Sequence, residues 1–293
     1  MIDLSEEPAW LKVSLDRLVI ERGGGEAVTM PMSDLAALVV SHPQVKYTQA
    51  VLAGIAAAGG MFVVCDTKHM PAAMLMPIAN HHLQTERFGK QAEASLPVRK
   101  QVWRDIIKAK IRAQSKLLED LYGDDRGLAA LVPKVKSGDP SNVEAQASRR
   151  YWPALFADKQ FRRDPDGGDA NAHLNYGYAV LRAIVARAVC AAGLHPSLGI
   201  HHHNRYNTFC LADDLMEPLR PLVDGVVVRR VKEKGLPFPL DKESKAALIS
   251  ALTGRVVIQG EERTLFDAMA RTAVSLAEVF EGKRRTIEIP QLS

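Results

Sequence analysis

Residues 97–125, PVRKQVWRDIIKAKIRAQSKLLEDLYGDD, mark a change in the character of the chain. Val102, Ile106, Ala109, Ala113, Leu117 and Leu121 recur at helical spacing and supply an apolar face. Pro97 precedes them, where a missing N–H costs little, and Gly123 follows them, where helices commonly stop. The stretch predicts one long amphipathic helix.

Upstream, residues 10–78 read mostly as strand. WLKVSLDRLVIERGGGEAVTMPM (10–32) has short β-branched runs around Gly23, Gly24 and Gly25, which is a hairpin signal. MFVVCD (61–66) reads as a short buried strand. MSDLAALVV (32–40) and YTQAVLAGIAAAGG (47–60) are more helical, with Ser33 or Asp34 capping the first and Gly59 and Gly60 stopping the second. Downstream, long 3.6-period segments take over at 141–156, 171–193, 213–231 and 263–282. The expectation is an α+β chain, with a small N-terminal β-rich domain (residues 1–80) followed by a larger all-helical C-terminal domain (81–293).

At 293 residues, 47% hydrophobic and 25% charged, the composition is that of a globular protein with a sizeable core. No apolar run reaches a membrane-spanning length, because Ala50–Cys65 is cut by Gly54, Gly59 and Gly60. The acidic start MIDLSEEP lacks the pattern of a signal peptide, so a cytoplasmic location is expected. Cys65, Cys190 and Cys210 form no CxxC pair and read as buried thiols.

The net charge is only +4, so its distribution matters more than its size. Lys100, Arg104, Lys108, Arg112 and Lys116 recur every four residues along the long helix, opposed within that run only by Asp105. Such a ridge either faces solvent or follows a phosphate backbone. Arg149–Arg150, Arg162–Arg163 and Arg229–Arg230 add further basic clusters.

The candidate chemistry lies in GIHHHNRYNTFCLADDLMEPLRP (199–221). Asp214 and Glu217 are three apart and share a helix face. They also fit a capping box, with Asp214 as N-cap and Glu217 as its partner. Of three consecutive histidines, at most one or two can serve one ion. A histidine with two carboxylates suits Mg²⁺ or Mn²⁺, and three histidines also suit zinc. Upstream, Glu144 sits on an otherwise small and apolar face before Tyr151 and Trp152. There it must be solvated, paired or bound to a cation.

Taken together, Glu144, the Tyr151–Trp152 pair, LNYGYAVLRAIVARAVCAAGLHPSLGIHHHN and LADDLMEPLRP resemble the CRISPR-associated spacer-acquisition endonuclease, an integrase, most closely its type II form. The resemblance runs over nearly the whole chain. It implies an N-terminal β-domain that mediates homodimerisation and a helical domain that carries the site. It also implies a Mg²⁺ or Mn²⁺ ion held by Glu144, His202 and Glu217, with His203 as the alternative histidine and Asp214 orienting the shell. The implied reaction inserts short foreign DNA into a CRISPR array by joining donor 3′-hydroxyls to repeat DNA. Expected DNA contacts are Arg87, Lys100, Arg104, Lys108, Arg112, Arg149 and Arg205. Implied partners are double-stranded prespacer and leader–repeat DNA and a small ferredoxin-fold protein bridging two dimers. Type II acquisition factors and the effector nuclease follow as further partners. A catalytically silent DNA-binding scaffold and a general metal-dependent phosphoesterase are the rival readings.

Overall fold

The computed structural model describes residues 1–67, 71–75, 81–165 and 167–292. The chain divides into two compact units, Met1–His82 and Leu83–Ser293.

Among the described residues the first unit holds two four-stranded sheets. One runs β4 (Val28–Pro31), β3 (Arg17–Arg22), β2 (Ala9–Ser14), β6 (Lys46–Tyr47). The other runs β1 (Ile2–Leu4), β5 (Ala37–Val40), β7 (Met61–Cys65), β8 (Pro71–Leu75). The glycine-rich turn joins β3 to antiparallel β4, with Gly24 at φ 86°. Leu11, Leu18, Ile20, Leu38, Val51, Ile55 and Phe62 pack together as this unit's core. Helix α1 (Gln49–Ala57) ends before Gly59, whose φ is 67°.

The helical expectation for 32–40 is corrected. Met32–Asp34 form a short 3-10 turn, and Ala37–Val40 form β5, buried at all four positions. This strand lies parallel to both β1 and β7. A strand covered on both faces reads as a continuous apolar run without alternation, which periodicity cannot separate from a buried helix.

The second unit is mostly helical: α2 (Gln84–Ala92), α3 (Leu96–Tyr122), α4 (Val143–Leu155), α5 (Ala170–Ala191), α6 (Cys210–Met216), α7 (Arg220–Lys234), α8 (Lys242–Leu252) and α9 (Leu265–Phe280). A 3-10 turn, Glu217–Leu219, links α6 to α7. Helix α5 is apolar nearly all round and forms the centre, packed by α6, α7, α8 and α9. Gly177 lets α7 close on it, since a Cβ there would stand 2.4 Å from Val223. The all-helical expectation misses one hairpin, β9 (Arg255–Ile258) with β10 (Glu261–Thr264). Its two-residue turn, Gln259–Gly260, holds both φ angles positive, as a tight hairpin of right-twisted strands requires.

Candidate active site

Three segments of the second unit converge. Glu144 lies in the first turn of α4, which is firmly anchored. Asp139 accepts the N–H groups of Val143 and Glu144 at 2.9 and 3.0 Å, and the Asn142 side chain accepts that of Ala145 at 3.3 Å. Glu217 lies in the turn between α6 and α7 and is buried. Between the two stands Lys110 of α3, its Nζ 2.6 Å from Glu144 Oε1 and 2.6 Å from Glu217 Oε2. Arg220 holds the other oxygen of Glu217 at 3.0 Å. Burial alone would raise the Glu217 carboxyl, but Arg220 and Lys110 outweigh it and hold the group down at about 2. Despite its own burial, Lys110 is raised by the charges of Glu217 and Glu144.

The capping-box expectation for Asp214 and Glu217 is corrected. Helix α6 begins at Cys210, so Asp214 is mid-helix. Its fully buried carboxylate instead gathers the histidine loop. It accepts the backbone N–H groups of Ile200, His201 and His202 at 2.6, 3.0 and 3.3 Å. It also sits 2.6 Å from His202 Nδ1. This fixes the ring and leaves Nε2 as the nitrogen available to a ligand. The Asp214 hydrogen bond raises His202 above the ordinary imidazole value, against the effect of partial burial. The neighbouring Asp213 takes a bidentate pair from Arg182, at 2.6 and 3.1 Å, and a hydrogen bond from Asn207 at 2.7 Å.

The three histidines separate in role. His201 stacks flat on Trp103, with centroids 4.1 Å apart and planes 3° apart. His202 takes Asp214. His203 lines a different cleft of about 340 Å³ with Gln91, Arg99, Ser197 and Arg205.

Among the described residues no three His, Cys, Asp or Glu side chains form a ready metal shell. The place between the glutamates nevertheless suits a cation. Glu217 Oε2 is buried and accepts no well-directed hydrogen bond, although Lys110 Nζ pairs with it electrostatically. Carboxylate oxygens are ligands that Mg²⁺ or Mn²⁺ takes, and the charge of His202 acts on Glu217.

The expected DNA contacts divide. Arg87 is corrected: it is buried, pairs with Glu281 at 2.8 Å and donates to the Ala192 carbonyl at 2.7 Å, so it braces the fold. Arg104 turns to Asp105 at 2.8 Å. Lys100, Arg112 and Arg149 are exposed, and Lys108 is half-buried. Arg205 is exposed and stacks over Tyr206. On one side, Arg104, Lys108 and Arg112 line a groove of about 540 Å³ with Thr286, Ile287, Ile289, Pro290, Gln291 and Leu292. On the other, Lys108, Arg112 and Lys116 share a cleft with Glu119, Asp120 and Asp125.

Sequence reading missed Lys110, Arg182 and Arg220. The signal for Lys110 was present. With Ile106 and Gln114 it follows an i, i+4 row down the buried stripe of α3, where a charge needs a partner.

A family model described as CRISPR associated protein Cas1 matches residues 3–254. The CRISPR-associated endonuclease Cas1 of Neisseria meningitidis serogroup C (strain 8013) is 34% identical over 287 residues, 96% of this chain and 93% of the relative. Among solved structures, a casposase bound to integration product is similar, with TM-score 0.78 and 19% identity over 98% of this chain and 92% of that one. A chain of a Cas6-RT-Cas1–Cas2 complex follows with TM-score 0.72 and 15% identity, over 97% of this chain and 35% of that one. At these identities the structural likeness speaks for the fold. The family match spans most of both units and the relative covers nearly the whole chain, so this chain belongs to the Cas1 family of CRISPR-associated proteins.

Proposed function

We propose that this chain inserts short foreign DNA into a CRISPR array by transesterification, with Glu144, His202 and Glu217 as ligands of Mg²⁺ or Mn²⁺. The observation that carries the reading is the convergence of Glu144 and Glu217 on one cation, with the charges of Glu217 and His202 acting on each other and the His202 ring fixed by Asp214. Bound there, the ion would polarise the target phosphate and stabilise charge on the attacking and leaving oxygens.

The chain's own residues supply position. Asp214 orients His202, and Arg220 holds Glu217 in one rotamer through Oε1. The nucleophile is the donor's 3′-hydroxyl, so no protein nucleophile is required. One P–O bond to the repeat strand breaks as the new one forms. The hydroxyl proton passes to solvent and the departing 3′-oxygen takes one up. Lys100, Lys108, Arg112, Arg149 and Arg205 are the cations available to phosphates along the way.

Double-stranded prespacer and leader–repeat DNA are the proposed substrates. The likeness of the fold to a casposase bound to integration product supports this reading. The first unit is the proposed homodimerisation element. A small ferredoxin-fold partner bridging two dimers accords with the Cas1–Cas2 assembly named for the structural neighbour. Type II acquisition factors and the effector nuclease are further proposed partners. Among the described residues no helix is long and apolar enough to cross a membrane, and the proposed place of work is the cytoplasm, where the array lies.

The test is strand transfer from a short duplex with free 3′-hydroxyls into a supercoiled leader–repeat plasmid, in Mn²⁺, Mg²⁺ or EDTA, with and without the small partner. Metal-dependent joining that Glu217→Ala abolishes, with duplex binding retained, supports the reading. Joining by Glu217→Ala overturns the ligand role. Tight binding without joining in every condition favours a DNA-binding scaffold.

A further inference from the structure

Lys110 is not part of the basic ridge of α3. It lies on the buried stripe and is only 8% exposed. An ammonium so far from water is retained only where anions compensate it. Glu144 and Glu217 do so from two separate segments, and each would repel the other without a cation between them. The division of oxygens is informative. Glu217 gives Oε1 to Arg220 and Oε2 to Lys110. Arg220 can therefore stay when Oε2 takes a metal ion. Lys110 cannot, because two cations would then crowd one oxygen in a buried place.

We infer that Lys110 is a built-in occupant of the cation place: its ammonium holds Glu144 and Glu217 together in the metal-free protein and must leave their oxygens before a divalent ion enters. This inference rests on the reading of Glu144, His202 and Glu217 as ligands. It has a consequence for control. The displaced ammonium needs a new anion, and a DNA phosphate arriving at the same place is one. Metal and DNA then favour each other, by the same factor in either direction. A site of this kind stays poorly loaded until its substrate is present, which limits metal-driven cleavage of the wrong DNA. Lys110 acts here as a positioning residue.

The test measures Mn²⁺ binding to the full chain by the paramagnetic resonance signal of the free ion, with and without duplex DNA. The proteins are wild type, Lys110→Met, Lys110→Gln and Glu217→Gln. Expected are Mn²⁺ affinity at least about tenfold higher in both Lys110 variants and a smaller gain from DNA than wild type shows. A lower melting temperature in EDTA should accompany it. A merely structural lysine would lower the melting temperature and leave Mn²⁺ affinity unchanged or weaker.

A second measurement needs no Lys110 variant. Reductive methylation of wild type, read by mass spectrometry, should label Lys110 faster in Mn²⁺ than in EDTA. If a Glu217-dependent Mn²⁺ site exists, but labelling is unchanged and the Lys110 variants bind no tighter, the inference is overturned and the ligand reading stands. If no Mn²⁺ site depends on Glu217, both fall. If neither Lys110 variant folds, the labelling result decides.

Discussion

Asp214 Oδ1 lies 2.6 Å from His202 Nδ1, and the same carboxylate accepts three consecutive backbone N–H groups of the histidine loop. One side chain thus sets both the path of the loop and the orientation of the ring. Asp214→Asn keeps the size but lacks the charge and one acceptor. It should lower Mn²⁺ affinity or strand transfer by about 10- to 100-fold, the usual cost of losing a partner behind a metal ligand. Unchanged affinity and rate would leave Asp214 a purely structural loop anchor.

Gly199 permits that arrangement. A Cβ at this position would stand 2.3 Å from the His202 carbonyl oxygen and 2.9 Å from Cys210 Cβ. Neither neighbour can yield easily, since the loop is tied to Asp214 and Cys210 is buried. Gly199→Ala should destabilise the protein by about 1–3 kcal/mol, as overpacking does. Urea unfolding measures the loss. The larger effect should fall on strand transfer, because the displaced backbone carries His202.

The basic ridge gives a prediction in salt. Arg112 is exposed and Lys108 half-buried on the same side of α3. If they follow a phosphate backbone, Lys108→Glu with Arg112→Glu weakens duplex binding more at low salt than at high salt. The slope of log affinity against log salt should fall by about 0.9 per lost phosphate contact. An unchanged slope assigns these cations to Glu119, Asp120 and Asp125 across their shared cleft.

The long helix α3 was legible from 97–125 because its apolar period and its Pro and Gly ends all agree. Strand β5 was not, because residues 37–40 are buried on both faces and show no alternation. The proposed roles of Glu144, His202 and Glu217 rest on a resemblance. What spacing could not supply was the geometry around them. Asp214 looked like a helix cap because capping boxes share its spacing from Glu217, whereas its partners lie 12 to 14 residues upstream. Arg87 looked like a DNA contact because sequence cannot show Glu281, which neutralises it from almost 200 positions away. Lys110 was hidden by its neighbours: five basic residues at regular spacing made a sixth look ordinary.

Asp224 of α7 gives a pH prediction away from the proposed ligands. It is buried and accepts hydrogen bonds from the hydroxyls of Tyr151 (2.6 Å) and Tyr178, with Arg220 and Arg163 as the charged groups beyond. Burial dominates and pushes its carboxyl up to about 6, although both tyrosines and both arginines oppose the rise. A group raised on folding is more protonated in the folded state. Its contribution is therefore fully present below the unfolded value, near 3.9, and is lost as pH rises through 6. The change is on the order of 3 kcal/mol at most, for a shift of about two pH units. Asp224→Asn cannot ionise. Its stability relative to wild type should therefore improve by up to about that amount between pH 4 and pH 7.5. Urea titrations of both proteins at several pH values measure the difference. A difference constant with pH would mean that the two tyrosines keep Asp224 ionised throughout.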